Sequence, residues 1–369
     1  MKLSTNTSKG IVAVLLLSFA MIVACKEEDD DDNNGISLDS SAYNLEIGDF
    51  PPPQISPDNP LTIQGVKLGR MLFYENKLSK DGSQNCASCH RQQHAFTDTA
   101  KFSTGVEGLL GGRQAMAVFN MAWNGNEFFW DGRAHLLRDQ SLKPIQDPLE
   151  MNETLENVIA KLNADKTYQD QFTRAFGSST VTEERISLAL EQFMNSIVSV
   201  DSKYDKFLRG EATLTTNEER GRFLFFSEYN PSFPNISGAD CAHCHAGKNF
   251  ENDRYMNNGL DSDQNRQDSG RAAVTGSAGD LAKFKVTSLR NVEITPPFMH
   301  DGRFTTLDEV VDHYNTGMNS SSTIDPALLY PLNNGGLQLT AQDKADLISF
   351  LKTLTDDVLI TNLEYSDPF

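Results

Sequence analysis

Apolar residues recur at helical spacing through much of this chain. From Thr182 to Val200, the residues Ile186, Leu190, Phe193, Ile197 and Val200 fall on one face of a helix, which marks them as core rather than as a cofactor box. Asn152 to Phe176 is a second long polar–apolar stretch without Pro or Gly, and it also predicts helix. Thr216-Asn217-Glu218-Glu219 and Thr306-Leu307-Asp308-Glu309 have the form of capping boxes that open helices at 217 and 307. Thr340 opens the last helix, which ends near Leu354. The stretches 103–112, 257–280 and 315–336, rich in Gly, Asn and Ser, read as long loops; such loops need a function or a cofactor to pack on. The pattern predicts a mainly α fold.

The pattern also repeats. The first half holds Gly69-Arg70-Met71-Leu72-Phe73, then Cys86-Ala87-Ser88-Cys89-His90, then Asn120, then Trp130-Asp131-Gly132-Arg133. The second holds Gly221-Arg222-Phe223-Leu224-Phe225, then Cys241-Ala242-His243-Cys244-His245, then Asn291, then His300-Asp301-Gly302-Arg303. Four landmarks in one order point to duplication of a single unit.

The N-terminus reads as a processing segment. Lys2 and Lys9 precede a stretch from Ile11 to Ala24 that is apolar apart from one Ser and too short to span a bilayer comfortably. It ends in Ile22-Val23-Ala24-Cys25, which resembles a bacterial lipobox and makes Cys25 the expected site of lipidation; the alternative is an ordinary signal peptide with an incidental Cys. The acidic run that follows is a solvated tether. An exported lipoprotein in the periplasm or at the outer membrane is expected, held to the membrane only by its lipid.

Composition narrows the partners. With 369 residues, 38% hydrophobic, the chain can build about two packed domains, and its formal net charge of −19 argues against nucleic acid. An acidic surface favours cationic partners, such as a basic electron-donor protein, although the tether supplies much of the excess.

There are five cysteines, and apart from Cys25 they form two CxxCH pairs. In CxxCH each thiol adds to a haem vinyl group and the adjacent His places a nitrogen on the iron. A single copy could be a redox dithiol or a zinc pair; two copies in a repeat behind an export signal point to two covalent haem c groups, held by Cys86, Cys89, Cys241 and Cys244 with His90 and His245 as iron ligands. The expected organisation is a leader over 1–25, a tether over 26–50, and two cytochrome c-like haem domains over 51–205 and 206–369. His94, His135 and His243 read as surface or packing residues. Whatever fills each sixth iron position, from the remaining His, Met and Tyr residues, separates an electron carrier from a catalyst.

The motifs LGRMLFYENKLSKDGSQNCASCHRQQHAFTD, FFWDGRAHLLRDQ, DCAHCH and FKVTSLRNVEITPPFMHDGRFTTLDEVVDHYN resemble those of bacterial di-haem cytochrome c peroxidases, a family that includes the di-haem enzyme maturing methylamine dehydrogenase. The resemblance covers roughly residues 55–355. It implies that peroxide reacts at the N-terminal haem, that the C-terminal haem takes electrons from a donor such as a small cytochrome c or a cupredoxin, and that Trp130 lies between them. It places a distal Gln and Glu on Gln140 and Glu150, with Pro144 walling the same pocket; without it either polar residue reads as a solvated helix position. A Glu over an open iron can carry a proton between the peroxide oxygens.

Two departures stand out. Many family peroxidases carry a blocking His in the loop after the first haem, where this chain has Val106, so the first iron is expected to be permanently open. The usual Met ligand of the second haem falls on Tyr314, as in the maturing enzyme, with Met318 as the alternative. A calcium ion between the haems is typical of the family, bound partly by carbonyls matching Thr295 and Pro297, while its Asn ligand falls on Gln114. Members often pair as homodimers, although no stretch here marks an interface. The leading functional expectation is peroxide reduction. The alternatives are oxidation of a partner protein or organic substrate through the same high-valent state, and a non-catalytic electron-transfer dicytochrome.

Overall fold

The computed structural model describes residues 35–369; the leader, the lipobox Cys25 and residues 26–34 of the tether lie outside it. The main helices are α1 (Ile63–Phe73), α2 (Leu155–Asn163), α3 (Lys166–Phe176), α4 (Glu183–Ser196), α5 (Lys203–Leu208), α6 (Thr216–Phe226), α7 (Leu307–Asp312), α8 (Pro326–Asn333), α9 (Ala341–Lys352) and α10 (Asp357–Thr361). Strand structure among the described residues is slight: Tyr255–Met256 pairs antiparallel with Phe284–Lys285, Tyr255 facing Lys285. The mainly α expectation holds.

Local chemistry sets the helix ends and accounts for several differences from the sequence reading. The stretch 152–176 is two helices, because Asp165 turns its carboxylate onto the Thr167 N–H and starts α3 afresh. Helix α4 begins where expected, with Thr182 capping the Arg185 N–H and Glu183 and Glu184 facing the positive end of the helix dipole. It ends at Ser196 rather than Val200, since the Val198 N–H donates to the Tyr365 hydroxyl at 3.3 Å and the Ser199 N–H to the Asn120 side-chain oxygen at 2.8 Å. The box that opens α6 is Thr215 with Glu218, one residue earlier than read. The Thr306–Glu309 box opens α7 as predicted. Thr340 caps α9, but α9 is not last: Asp356 caps the short α10. Within the loop read at 315–336, Asp325 caps α8.

Two apolar clusters form the core. The first gathers Leu68, Leu72, Phe73, Phe96, Phe172 and Phe193, and takes in Leu359 and Tyr365 from the chain end. The second gathers Leu224, Phe225, Phe250, Leu347, Phe350 and Leu354. The repeated Gly-Arg landmark has a packing reason in each. A Cβ on Gly69 would lie 1.9 Å from the Ala189 carbonyl oxygen of α4, and one on Gly221 would lie 1.9 Å from the Asp346 carbonyl oxygen of α9. Only glycine lets α1 meet α4, and α6 meet α9, at backbone distance.

Gly69→Ala and Gly221→Ala should therefore each destabilise the protein by about 1–3 kcal/mol through overpacking. Chemical denaturation of the purified variants checks this, and unchanged midpoints would contradict the crossing geometry.

Candidate active site

Each CxxCH places its His against a cavity, with Cys89 beside it in the first and both Cys241 and Cys244 in the second. The Cys86–Cys89 turn is fixed by Asn85, which caps the Ser88 N–H while the Ser88 hydroxyl accepts from the Asn85 N–H. His90 then donates from Nδ1 to the Phe96 carbonyl at 3.0 Å. His245 shares its Nδ1 proton between the carbonyls of Phe250 and Thr287, each at 3.1 Å. Phe96 and Phe250 take left-handed backbone, φ 60° and 54°, and so sit at matching points of the repeat. A carbonyl can only accept, so Nδ1 carries the proton and Nε2 is left bare, the tautomer and orientation a metal-ligating His needs. Burial pushes both imidazoles toward neutrality, His245 to about 4. All four described cysteines are free, and burial pushes the Cys86, Cys241 and Cys244 thiols up to about 12. Free thiol pairs beside a bare Nε2 at the wall of a cavity fit covalent haem in both places; the cavities measure about 440 and 270 Å³.

The first cavity is lined by Cys89 and His90 together with Gln140, Pro144, Leu149 and Glu150, so the residues that the resemblance marks as distal line one cavity. Neither the Glu150 carboxyl nor the Gln140 amide makes a side-chain hydrogen bond among the described residues. Burial pushes the Glu150 carboxyl up to about 7; Asp147 raises it further and Arg133 opposes the rise. Its backbone is pinned: Glu150 N–H donates to Asp147 at 2.9 Å, and Val106 N–H donates to the Glu150 carbonyl at 2.9 Å. A Cβ on Gly105 would lie 2.2 Å from the Leu149 carbonyl oxygen, so the loop after the first CxxCH is closed down on the Glu150 backbone. Val106 does not line the cavity, and His90 is the one His that does. His94, His135 and His243 line neither cavity.

The two cavities share a wall. Gln114, Met116, Trp130, Lys285, Thr287 and Ser288 line both. Trp130 is fixed there at each end: its indole N–H donates to the Gln114 carbonyl at 2.8 Å, and its own carbonyl accepts from Lys285 N–H at 2.8 Å. His300, at the matching place in the repeat, lies edge-on to the indole at 6.5 Å and stacks on Phe284 at 3.6 Å. The internal duplication was the available signal for it.

Tyr314 lines the second cavity with Cys244 and His245. Its phenol stands 3.3 Å from the Asn258 amide nitrogen and is pushed up to about 12 by burial. Met318 is buried but does not line this cavity, whereas Met256 and Met299 do. Gln114, Thr295 and Pro297 also line it. The Gln114 amide nitrogen is spent on Thr97 Oγ1 at 3.0 Å and the Asp98 carbonyl at 3.3 Å, which turns its oxygen free; these donors are all neutral oxygens, a set that suits a hard cation completed by water. No group of three or more His, Cys, Asp or Glu suited to a metal occurs among the described residues.

One structural residue gave no sequence signal. Arg290, 2% exposed, meets both Asp205 oxygens at 2.8 Å and donates from Nε to the Lys248 carbonyl at 2.9 Å, which steadies the loop carrying Phe250 behind His245.

Comparison with known proteins shows the family. The sequence profile of the family described as di-haem cytochrome c peroxidase matches residues 63–213. Methylamine utilization protein MauG of Methylophilus methylotrophus is 30% identical, over 82% of this chain and 85% of that protein. Cytochrome c551 peroxidase of Nitrosomonas europaea is 33% identical, over 79% of this chain and 80% of that protein. Among solved structures, a MauG-like protein associated with microbial copper homeostasis superposes with a TM-score of 0.80 at 34% identity, covering 89% of this chain and 99% of that one.

Covalent attachment gives a direct check. After denaturation the protein should retain two haems, and Cys241→Ser combined with Cys244→Ser should retain one, read by pyridine haemochrome absorbance per chain. Two retained haems in that variant would remove the second site from this account.

Proposed function

The chain belongs to the di-haem cytochrome c peroxidase family of oxidoreductases, two haem c groups included, and from that premise we propose that it reduces hydrogen peroxide to two waters, taking two electrons from a small donor protein and two protons from solvent. The observation that carries this reading is a half-buried carboxyl with no hydrogen-bond partner among the described residues, lining a cavity that offers no second imidazole. When bound, the haems supply the iron chemistry that breaks the O–O bond and hold the oxidising equivalents until electrons arrive.

The protein's share is proton handling and placement. Glu150, as carboxylate, takes the proton from the near oxygen of peroxide and returns it to the leaving oxygen, so that water rather than hydroxide departs. Its pKa near 7 suits both halves of that transfer. Gln140 fixes the substrate oxygen through its unengaged amide, while Pro144 and Leu149 narrow the pocket and limit water. Trp130, pinned in the shared wall, is the conduit between the two haem sites. Tyr314 would hold the second iron, and the oxygens of Gln114, Thr295 and Pro297 would hold a calcium ion beside that cavity. The leader and Cys25 direct export and lipid anchoring; no described helix is long and apolar enough to cross a membrane.

A second reading has specific support. Val106 and Tyr314 are the features expected of the maturing enzyme, and relatives named MauG and MauG-like stand beside the peroxidases. On that reading the same site oxidises a partner protein or an organic substrate.

Turnover with peroxide and a reduced cytochrome c tests the first reading. Glu150→Gln should lower the rate by about 10²–10⁴-fold. In the wild type the rate should rise as pH increases through about 7, because the ionised carboxylate is the proton acceptor; the variant should lose that rise. A wild type inert to peroxide would leave the electron-transfer dicytochrome, and a long-lived oxidised state that ignores cytochrome would favour partner oxidation. Tyr314→Met should raise the potential of the second haem and alter its spectrum, both read by spectroelectrochemistry. An unchanged spectrum moves the ligand to Met318 or to the cavity-lining Met299.

A further inference from the structure

The two halves exchange one residue. Phe96 and Phe250 hold matching places behind the ligand imidazoles, and the residue after each lines the other half's cavity. Thr97, from the first half, lines the second cavity; Glu251, from the second half, lines the first. The exchanged residues differ in chemistry. The Thr97 hydroxyl is fully engaged, donating to the Ala115 carbonyl and accepting from the Gln114 amide. The Glu251 carboxyl accepts one hydrogen bond, from the Asn249 amide at 2.5 Å, and makes no ion pair among the described residues. It joins Glu150 as a carboxyl lining the first cavity.

The surroundings of Glu251 leave it free to change charge. Its partner Asn249 accepts from the Asn120 amide at 2.9 Å, and the Asn249 carbonyl accepts from the Ser288 hydroxyl at 2.6 Å, so the carboxyl is held from the junction of the halves. Burial pushes Glu251 up to about 7; Asp253 adds to the rise, while Lys285 and the Asn249 amide oppose it. Lys285, 4% exposed, does not neutralise Glu251, because its ammonium is engaged by the Asn124 amide oxygen and the Glu127 carbonyl, with Asp253 at 3.9 Å. The Glu127 carboxylate pairs with Arg271 at 3.1 Å. The other charges lining this cavity are engaged elsewhere: Arg113 pairs with Asp131 at 2.6 Å, and Arg133 and Asp147 act on Glu150. Asp253, one-third exposed, brings solvent to the turn that carries Glu251.

Charge added to a cavity shielded from water is unfavourable unless an opposite charge accompanies it. We propose that Glu251 is the proton-loading residue of the first haem cavity: its carboxylate takes one proton from solvent, through the Asp253 turn, as the haem there gains one electron from its neighbour across the shared wall, and returns the proton as that electron leaves. Carboxylate becomes carboxyl, and the net charge of the cavity stays constant. Glu150 keeps its separate task at the substrate. Haem occupancy is all that this role requires, so it holds whether the substrate is peroxide or a partner.

Redox titration of the two-haem protein at a series of pH values tests this without peroxide. A proton that follows the electron makes the first haem's potential fall as pH rises through the neutral range. Glu150 titrates in the same range, so the measurement is made in Glu150→Gln. The fall should persist in that variant, flatten when Glu251→Gln is added, and return with Glu251→Asp in place of Glu251→Gln. Infrared difference spectra should show a carboxyl C=O band gained on reduction of Glu150→Gln and missing from the double variant. A Glu150→Gln protein whose potential ignores pH, or a double variant that keeps the full dependence, overturns the proposal. Flattening that comes with loss of a covalent haem also overturns it, in favour of a structural role. Absence of peroxide turnover with the pH dependence intact would sink the peroxide reading alone.

Discussion

A buried set of hydrogen bonds at Ser199 holds the duplicated halves in the relation on which both cavities depend. Asn120 and Asn291, the matching residues of the repeat, take left-handed backbone at φ 55° and 61°, a conformation Asn tolerates better than most residues. Asn120 accepts from Ser199 N–H at 2.8 Å and donates to the Ser199 carbonyl at 3.0 Å. Asn291 donates to the Ser199 hydroxyl at 3.0 Å and accepts from Asp356 N–H at 2.8 Å. The Ser199 hydroxyl in turn reaches an Asp356 oxygen at 3.2 Å. All four residues are buried, so each bond lost would leave a polar group unpaired at about 1–3 kcal/mol. The segments running up to these two asparagines carry Gln114, Met116, Lys285 and Thr287, which form the wall common to both cavities. Fixing the asparagines fixes the wall, and the wall fixes Trp130.

Within this symmetric frame the chemistry is asymmetric, and the asymmetry begins after the repeated Asp-Gly-Arg. In the first half the chain continues through short helical turns, Leu137–Ser141 and Lys143–Gln146, that bring Gln140 and Glu150 over the cavity. In the second half α7 runs on to Tyr314, which reaches into the other cavity. Burial acts on both residues with opposite consequences. It raises Glu150 into the range where a carboxyl can both take and give a proton near neutrality, while it keeps the Tyr314 phenol protonated until a stronger charge, such as a metal, is placed beside it. One environmental effect thus raises a carboxyl in one cavity and a phenol in the other.

The sequence exposes this plan unevenly. Where one residue type alone can do the job, the repeat is legible: glycines 69 and 221 at the helix crossings, the CxxCH pairs, and the asparagines at the junction. Where the work is done by main-chain atoms it is not. The carbonyls of Phe96 and Phe250 orient the ligand imidazoles, yet any residue able to adopt the turn has a carbonyl to offer. Helix starts slip by one residue where Thr215-Thr216 and Glu218-Glu219 present two overlapping boxes and only packing chooses between them. The Arg290–Asp205 pair joins positions 85 apart, a distance no local pattern spans.

Exposure is the other property that pattern reading misses, and it separates two uses of apolar residues. Phe225 and Phe233 are alike as letters, but the first lies at the centre of the second core and the second stands in water. Burial of Phe225 is explained by the fold itself, because α6 must cover α9. Packing among the described residues does not explain Phe233, since its loop is secured by backbone hydrogen bonds. The stretch before the first CxxCH is polar and differently held, with Ser83 N–H and hydroxyl donating to the Asp81 carboxylate.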